Sequence, residues 1–211
     1  MNTHANLPPA RRRPEDRPDE ILTAAMEVFT EKGFAAARVE DIAKRAGLSK
    51  GAVYLYFESK DAMLKALVEQ SAGAIVNAAT AFTEISAGDD PEKAYRAILK
   101  MALVSLTDRE VSAATRLVMT EAGRSPEIAA YYRQRVIETG RSAVTALIDA
   151  GVKAGVFRDV DRDSAVLTFI GPAIKQMMLN SIFQRETDPD FDAEKMADAI
   201  ADIILNGLKP R

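Results

Sequence analysis

The tetrapeptide Ala46-Gly47-Leu48-Ser49 constrains this chain more than any other feature, because it joins a helix stop to a helix start with almost nothing between them. Upstream, Val39, Ile42, Ala43 and Ala46 fall at i, i+3, i+4 and i+7, one helical face that must be buried. Gly47 takes a left-handed conformation without a Cβ clash and so closes that helix. Ser49 stands where an N-cap belongs, its hydroxyl available to the free N–H groups of a second helix expected over 50–57. Val53 and Phe57, at i and i+4, join Leu48 in a core, which leaves Lys50, Gly51, Ala52, Tyr54 and Leu55 pointing outward. Two short helices held at a fixed angle by a turn make a helix-turn-helix. An outward face of small, basic and aromatic residues suits a DNA groove.

The flanking sequence completes a small domain. Over 19–32, Ile21, Leu22, Ala25, Met26, Val28 and Phe29 form one broad stripe that ends at Gly33, with Phe34 placed for the apolar contact that accompanies such a cap. Downstream, Glu58-Ser59-Lys60-Asp61 reads as the cap and first turn of a long helix. Its apolar positions Leu64, Leu67, Val68, Ala74, Ile75, Ala78 and Phe82 predict a rod over 59–85 that leaves the small domain and enters a larger one. Beyond Asp90-Pro91 helical periodicity continues over 91–106, 109–123, 126–154, 161–186 and 192–208, with almost no strand-like alternation. Ser125-Pro126 is a clear start, and Gly151 and Gly155 punctuate the following end. The expected fold is all-α: a disordered arm over 1–18, a three-helix helix-turn-helix domain over 19–66 and a larger helical domain over 67–211.

Composition excludes several function classes. The 211 residues contain no cysteine and a single histidine, His4, which removes disulfides, thiolate chemistry and Ser/His or Cys/His nucleophile pairs. Carboxylate metal sites in helical bundles need Glu-x-x-His pairs, and no phosphate-cradling glycine loop occurs, so neither enzyme activity nor a metal or cofactor is expected. No run of 18 apolar residues and no signal-peptide core is present, so the protein is expected in the cytosol. Residues 1–62 hold ten lysines and arginines against ten acids, and the whole chain carries −3. Such a balance argues against indiscriminate nucleic-acid binding, so placement rather than net charge carries the DNA reading. Arg11-Arg12-Arg13 form either a basic arm for an adjacent minor groove or a solubilising tail.

Residues 20–67 resemble the N-terminal domain of TetR-family transcriptional regulators. Val39-Glu40-Asp41-Ile42-Ala43, Ala46-Gly47-Leu48-Ser49-Lys50-Gly51, Val53-Tyr54-Leu55-Tyr56-Phe57 and Ser59-Lys60 all stand in the family's order and spacing. Arg116-Leu117-Val118-Met119-Thr120-Glu121-Ala122 followed by Pro126-Glu127 is similar to a segment of efflux-regulator-like members. The resemblance implies that Tyr54, Tyr56 and Lys60 contact the sugar-phosphate backbone while Lys50, Gly51, Ala52 and Leu55 face base edges. Ser49 serves as a cap whether or not it meets DNA. Arg38 departs from the family's usual Thr or Ser, which both caps the first motif helix and touches a phosphate; arginine reaches a phosphate but is a poor cap.

The resemblance further implies a ligand-responsive regulator, most simply a repressor that binds a palindromic double-stranded operator as a homodimer and is released by a small lipophilic effector. Candidate effector walls are Met101, Leu117, Met119, Tyr131, Phe169, Met177 and Met178, with Arg116, Glu121 and Lys175 as polar anchors. A methionine and aromatic stripe is also plain core chemistry. For the dimer, Val166, Ile170, Ile174 and Ile182 on one helix and Met196, Ile200, Ile203 and Ile204 on the next form two apolar faces, two helices per subunit in a four-helix bundle. Pro172 is expected to kink the first of these helices. The rival reading is a helical small-molecule sensor or interaction protein without specific DNA binding.

Overall fold

Helix α1 (Arg17–Lys32) opens the described part of the chain, which covers residues 17–109, 111–183 and 191–209 of a computed structural model, without the side chain of Ile182. The arm residues His4 and Arg11-Arg12-Arg13 lie outside it, as do residues 184–190. Helix α1 starts two residues before the expected start at Asp19, because Pro18 sits in the first turn, where no N–H partner is needed. It buries Ile21, Leu22, Ala25, Val28 and Phe29 and stops at Gly33 (φ +77°), with the Phe34 ring edge-on to Phe29 at 5.0 Å. Helix α2 (Val39–Ala46) packs on α1, and α3 (Lys50–Tyr54) packs on α2.

Gly47 adopts φ +68°, ψ 32°, and the chain closes α2 with two bonds: Leu48 N–H donates to Ala43 O at 2.9 Å and Gly47 N–H to Lys44 O at 3.2 Å. This pair is the Schellman arrangement, which satisfies carbonyls that a helix end otherwise leaves open. Helix α3 is shorter than the 50–57 expected from periodicity. The Val53 carbonyl accepts from both Tyr56 N–H and Phe57 N–H at 3.0 Å, which tightens the chain into a turn after Tyr54.

The chain divides into two compact units, 1–63 and 64–211, within α4 (Lys60–Val68). Helical backbone runs without a break from Lys60 to Ser86, through a π-turn at Glu69–Gly73 and into α5 (Ala74–Ser86). The second unit continues with α6 (Pro91–Thr107), α7 (Ala113–Glu121), α8 (Pro126–Tyr132), a π-turn at Arg133–Glu138, α9 (Thr139–Lys153), α10 (Arg162–Met178) with a π-turn at Leu179–Phe183, and α11 (Ala193–Leu208). Among the described residues no strand occurs. Side-chain caps fix four of these starts: Asp90 accepts from Lys93 N–H, Ser125 from Ile128 N–H, Asp161 from Ser164 N–H and Asp192 from Lys195 N–H. Helix α7 begins later than expected at 109 because Asp108 takes Val111 N–H at 2.8 Å and holds a turn ahead of it. Pro172 lies inside α10, which stays helical on both sides of it.

The core of this second unit has two parts. Tyr95, Ile98, Leu99, Leu147, Ile148, Phe157, Phe169, Ala201 and Leu205 make the larger, and Leu103, Leu106, Ala173, Met177 and Ala197 the smaller. Phe157 reaches its place only because Gly151 has no side chain: a Cβ there would stand 1.9 Å from the ring. Gly151→Ala is expected to cost about 1–3 kcal/mol by overpacking. Gly47→Ala, forced into left-handed backbone, is expected to cost about 1–2 kcal/mol. Urea denaturation of both variants checks these values.

Candidate nucleic-acid interface

Ser49 is extended (φ −76°, ψ 154°) and its hydroxyl accepts Ala52 N–H at 3.1 Å, so α3 is anchored at its first turn rather than along its length. Val53 turns inward and is fully buried, while Leu48 and Phe57 are half-buried. The opposite face is bare. Leu55 is 83% exposed, Tyr54 and Tyr56 are exposed by nearly half, and Gly51 opens onto empty space. An 83% exposed leucine gains nothing for folding.

The cations of this face are not idle. Lys50 Nζ lies 2.6 Å from Glu40 Oε1 and 5.7 Å from the centre of the Tyr54 ring. The hydrogen bond from Lys50 holds the Glu40 carboxyl below its usual range, and Glu40 holds Lys50 above its own. Lys60 Nζ donates to three backbone carbonyls, Phe34 O at 2.6 Å, Ala35 O at 3.1 Å and Ala37 O at 3.3 Å, and sits 4.7 Å from the Phe34 ring centre. It braces the turn between α1 and α2. Arg38 is exposed and extended (φ −119°, ψ 147°) and caps α2 with its carbonyl alone; its side chain makes no cap bond. Arg45 bonds Glu27 and Glu31, and Lys32 bonds Asp41, all at the surface. Helical spacing cannot show Glu40 or the 34–37 carbonyls, because their partners lie 10 to 26 positions away.

The candidate effector residues differ in burial and in the part of the core they join. Phe169 and Met177 are buried in separate parts of the core, Met101 and Leu117 are half-buried, and Met119, Met178 and Lys175 are exposed. Arg116 donates to Ser112 Oγ and to Arg109 O at 2.8 Å; burial, then Arg109, push its pKa down. Glu121 is buried with Arg124 Nη1 at 3.8 Å. Tyr131 donates to Glu69 Oε1 at 2.6 Å, and burial followed by that carboxylate pushes its pKa up to about 12. Arg135 Nε meets both Glu69 oxygens at 2.7 and 2.9 Å, and Lys65 pairs with Glu127. This ladder of Lys65 and Glu69 against Glu127, Tyr131 and Arg135 ties two π-turns together, and no periodicity signalled it.

Of the apolar faces assigned to self-association, Ile203 (74% exposed) and Met196 are open, whereas Val166, Ile170, Ile174, Ile200 and Ile204 pack against the unit's own core. Ile182 lies outside the described side chains. Leu167, Leu179 and Phe183, apolar positions of the same helical segment outside the assigned faces, add exposed apolar surface on α10 and its π-turn.

A capped two-helix motif with a bare outer face, carried by an all-helical chain, defines a helix-turn-helix protein. Residues 21–67 match the family described as "Bacterial regulatory proteins, tetR family", and residues 93–206 match "AefR-like transcriptional repressor, C-terminal domain". The chain therefore belongs to the TetR family of DNA-binding transcriptional regulators, with an AefR-like C-terminal domain. It is 28% identical over 202 residues to the HTH-type transcriptional regulator EthR of Mycolicibacterium smegmatis, covering 94% of this chain and 89% of that one. The crystal structure of PfmR, a TetR-family regulator from Thermus thermophilus, superposes with a TM-score of 0.68 at 28% identity, covering 90% of this chain and 99% of PfmR. FadR from Bacillus subtilis, solved in complex with stearoyl-CoA, shares the fold with a TM-score of 0.69 at 17% identity, over 90% of this chain and 98% of FadR. No helix of the described residues is long and apolar enough to cross a membrane.

Two variants test the local chemistry. Lys60→Ala is expected to cost about 1–2 kcal/mol, because three carbonyls lose one charged donor; a chemical denaturation curve checks it. The Glu69 carboxyl experiences opposing influences: burial pushes it up, but the hydrogen bonds from Arg135 and Tyr131 win and hold it low. A carboxyl held low in the fold stabilises above its unfolded pKa, and that contribution is lost as pH falls through the folded value. Stability is thus expected to fall below the ordinary carboxylate range, and Glu69→Gln to flatten that fall in a series of melts against pH.

Proposed function

We propose that this chain is a ligand-responsive repressor in the cytosol that binds a palindromic operator as a homodimer through α3 and leaves it when a small lipophilic effector enters the helical unit. The observation that carries the reading is the bare outer face of α3, where Lys50, Gly51, Ala52, Tyr54 and Leu55 stand exposed or half-exposed on a helix pinned by Ser49 and Gly47. In this reading Lys50, Gly51, Ala52 and Leu55 meet base edges, and Arg38, Tyr54, Tyr56 and Lys60 meet phosphates. Of the hydrogen-bonding side chains there only Lys50 is assigned to bases, so apolar contact from Leu55 and Ala52 to thymine methyl groups supplies much of the discrimination. The exposed Leu167, Ile203 and Met196 support self-association, which sets two α3 helices one duplex turn, about 34–36 Å, apart. Relatives support the effector: FadR was crystallised with stearoyl-CoA. A sensor without specific DNA binding has one observation in its favour, since Lys50 and Lys60 are both engaged inside the unit.

A gel shift with the DNA flanking the chain's own gene separates the two. A competitor-resistant complex with a two-half-site footprint supports the repressor, and a smear that disappears with salt supports the sensor. Within a mapped half-site, replacing the contacted thymine by uracil is expected to weaken binding about fourfold, the worth of one buried methyl-sized group at ~0.8 kcal/mol. Leu55→Ala should erase that difference. Titrating lipophilic compounds against the complex tests release; if none shifts affinity, the effector part is wrong and the repressor is constitutive.

A further inference from the structure

Among the described residues Tyr95 is the largest fully buried side chain, and its hydroxyl has no hydrogen-bond partner among them. Two rings hold it edge-on, Phe169 at 5.0 Å and Phe157 at 6.3 Å, so the phenol cannot swing away to find one. Burial raises its pKa far above the usual value, and it stays a neutral donor at any physiological pH. A buried polar group without a partner is rare enough to require a cause. Tyr95 also belongs to the wall of a cleft of about 580 Å³ between the 158–161 turn, the start of α10 and the end of α11. That volume falls within the roughly 300–1,000 Å³ range of small-molecule sites. Away from the charged mouth the walls are mainly apolar, at Ile148, Val160, Ala165, Ile204 and Leu208, with Ser164 and Thr168 as polar exceptions.

The charges at the mouth are almost all engaged. Asp159 takes Arg162 Nη1 at 2.7 Å, and Asp161 caps α10 through Ser164 N–H at 2.7 Å. Arg162 is further bonded to Asp149 and to Val160 O. Arg158 differs. Its backbone N–H donates to Leu208 O and its Nε to Gly207 O, both at 2.7 Å, which fixes the guanidinium to α11, while its two terminal nitrogens bond nothing among the described residues. The cleft therefore offers one oriented, uncommitted cation at its mouth and a largely apolar wall, behind which the unmet Tyr95 hydroxyl lies closed off from solvent.

We propose that this cleft binds a medium-chain amphiphilic carboxylate, with its head on Arg158 and with an oxo or hydroxy oxygen in its apolar body that meets the Tyr95 hydroxyl as the lining side chains part. None of the candidate effector residues lines this cleft, although Phe169 packs on Tyr95 behind its wall. Its ligand needs no DNA, so the site stands or falls apart from operator binding.

Calorimetric titration of the full chain with octanoate, 7-oxooctanoate and octylamine tests it. Both acids are expected to bind, the oxo acid about fivefold or more tightly through one added hydrogen bond, and the amine not at all. Arg158→Gln should weaken both acids about tenfold or more, as loss of a charge-assisted pair does. Tyr95→Phe should leave octanoate unchanged, erase the advantage of the oxo acid and leave the unliganded melting temperature level or higher. The proposal is overturned if neither acid binds, if octylamine binds as well as octanoate, if Arg158→Gln leaves the affinities unchanged, or if Tyr95→Phe keeps the oxo preference. Absence of binding to the chain as a dimer, with binding restored on dilution to monomers, would show instead that a second copy seated on Ile203 and Ile204 fills the cleft.

Discussion

The left-handed backbone at Gly47 is the constraint on which the first unit depends. It lets Leu48 and Gly47 return their N–H groups to Ala43 and Lys44, ends α2 within one residue and delivers Ser49 directly to the start of α3. With only five residues, α3 is far too short to be stable alone. Its helical shape is imposed from its ends, by the Ser49 cap and by Val53, whose side chain is fully buried and whose carbonyl takes two N–H groups. The outer residues are freed from structural duty for the same reason. Leu55 is exposed because the helix does not need it, and a residue that the fold does not need is one that recognition is free to use.

The second unit solves a different problem, a long bundle with a mixed polar interior. Its larger core is continuous from Tyr95 to Leu205, whereas α7 and the residue before it present Ser112, Thr115 and Glu121 to the inside. Beside this polar stretch stand the two π-turns joined by Glu69, Tyr131 and Arg135. A π-turn widens a helix and shifts the register of the turns after it, and such turns recur at functional positions. Here the carboxylate of one π-turn is gripped by the arginine of the other, so a change of register in either helix must break the same pair of bonds.

Much of this architecture is legible in the sequence. Every helix of the described residues follows an apolar period, and Gly33, Gly47, Ser49, Ser125-Pro126 and Gly155 each mark an end for a local steric or hydrogen-bonding reason. What stays illegible has one cause. Periodicity shows that a face is apolar but not what covers it: Val166, Ile170 and Ile200, spaced as a face for a second copy, are partly buried against the unit's own core, while Leu167 and Phe183 remain open. Charge partners distant in sequence are equally invisible: neither the three carbonyls that Lys60 holds nor the Glu40 carboxylate that pairs with Lys50 shows in the spacing. The cleft at Arg158 and Tyr95 escapes a sequence reading for the same reason, since its walls come from four helices and a turn.

Those internal pairings bear on how a formally neutral domain selects a DNA site. A free lysine on α3 would be drawn to any phosphate, whatever the sequence, because backbone attraction carries no base information. If Lys50 reads bases as proposed, it must instead exchange a 2.6 Å bond to Glu40 for a new partner. The exchange is close to balanced only where a base edge offers acceptors of comparable quality, such as the O6 and N7 of guanine. At other sequences the lysine stays with Glu40 and contributes little. In that reading Glu40 is an internal competitor that lowers affinity everywhere and lowers it least at the correct site, which is how repulsion or prior occupancy produces specificity. Removing the competitor, as in Glu40→Gln, is expected to raise affinity for random duplex more than for the operator. Competition binding with both duplexes at fixed salt measures that ratio, and an equal gain on the two would show that Lys50 touches only phosphate.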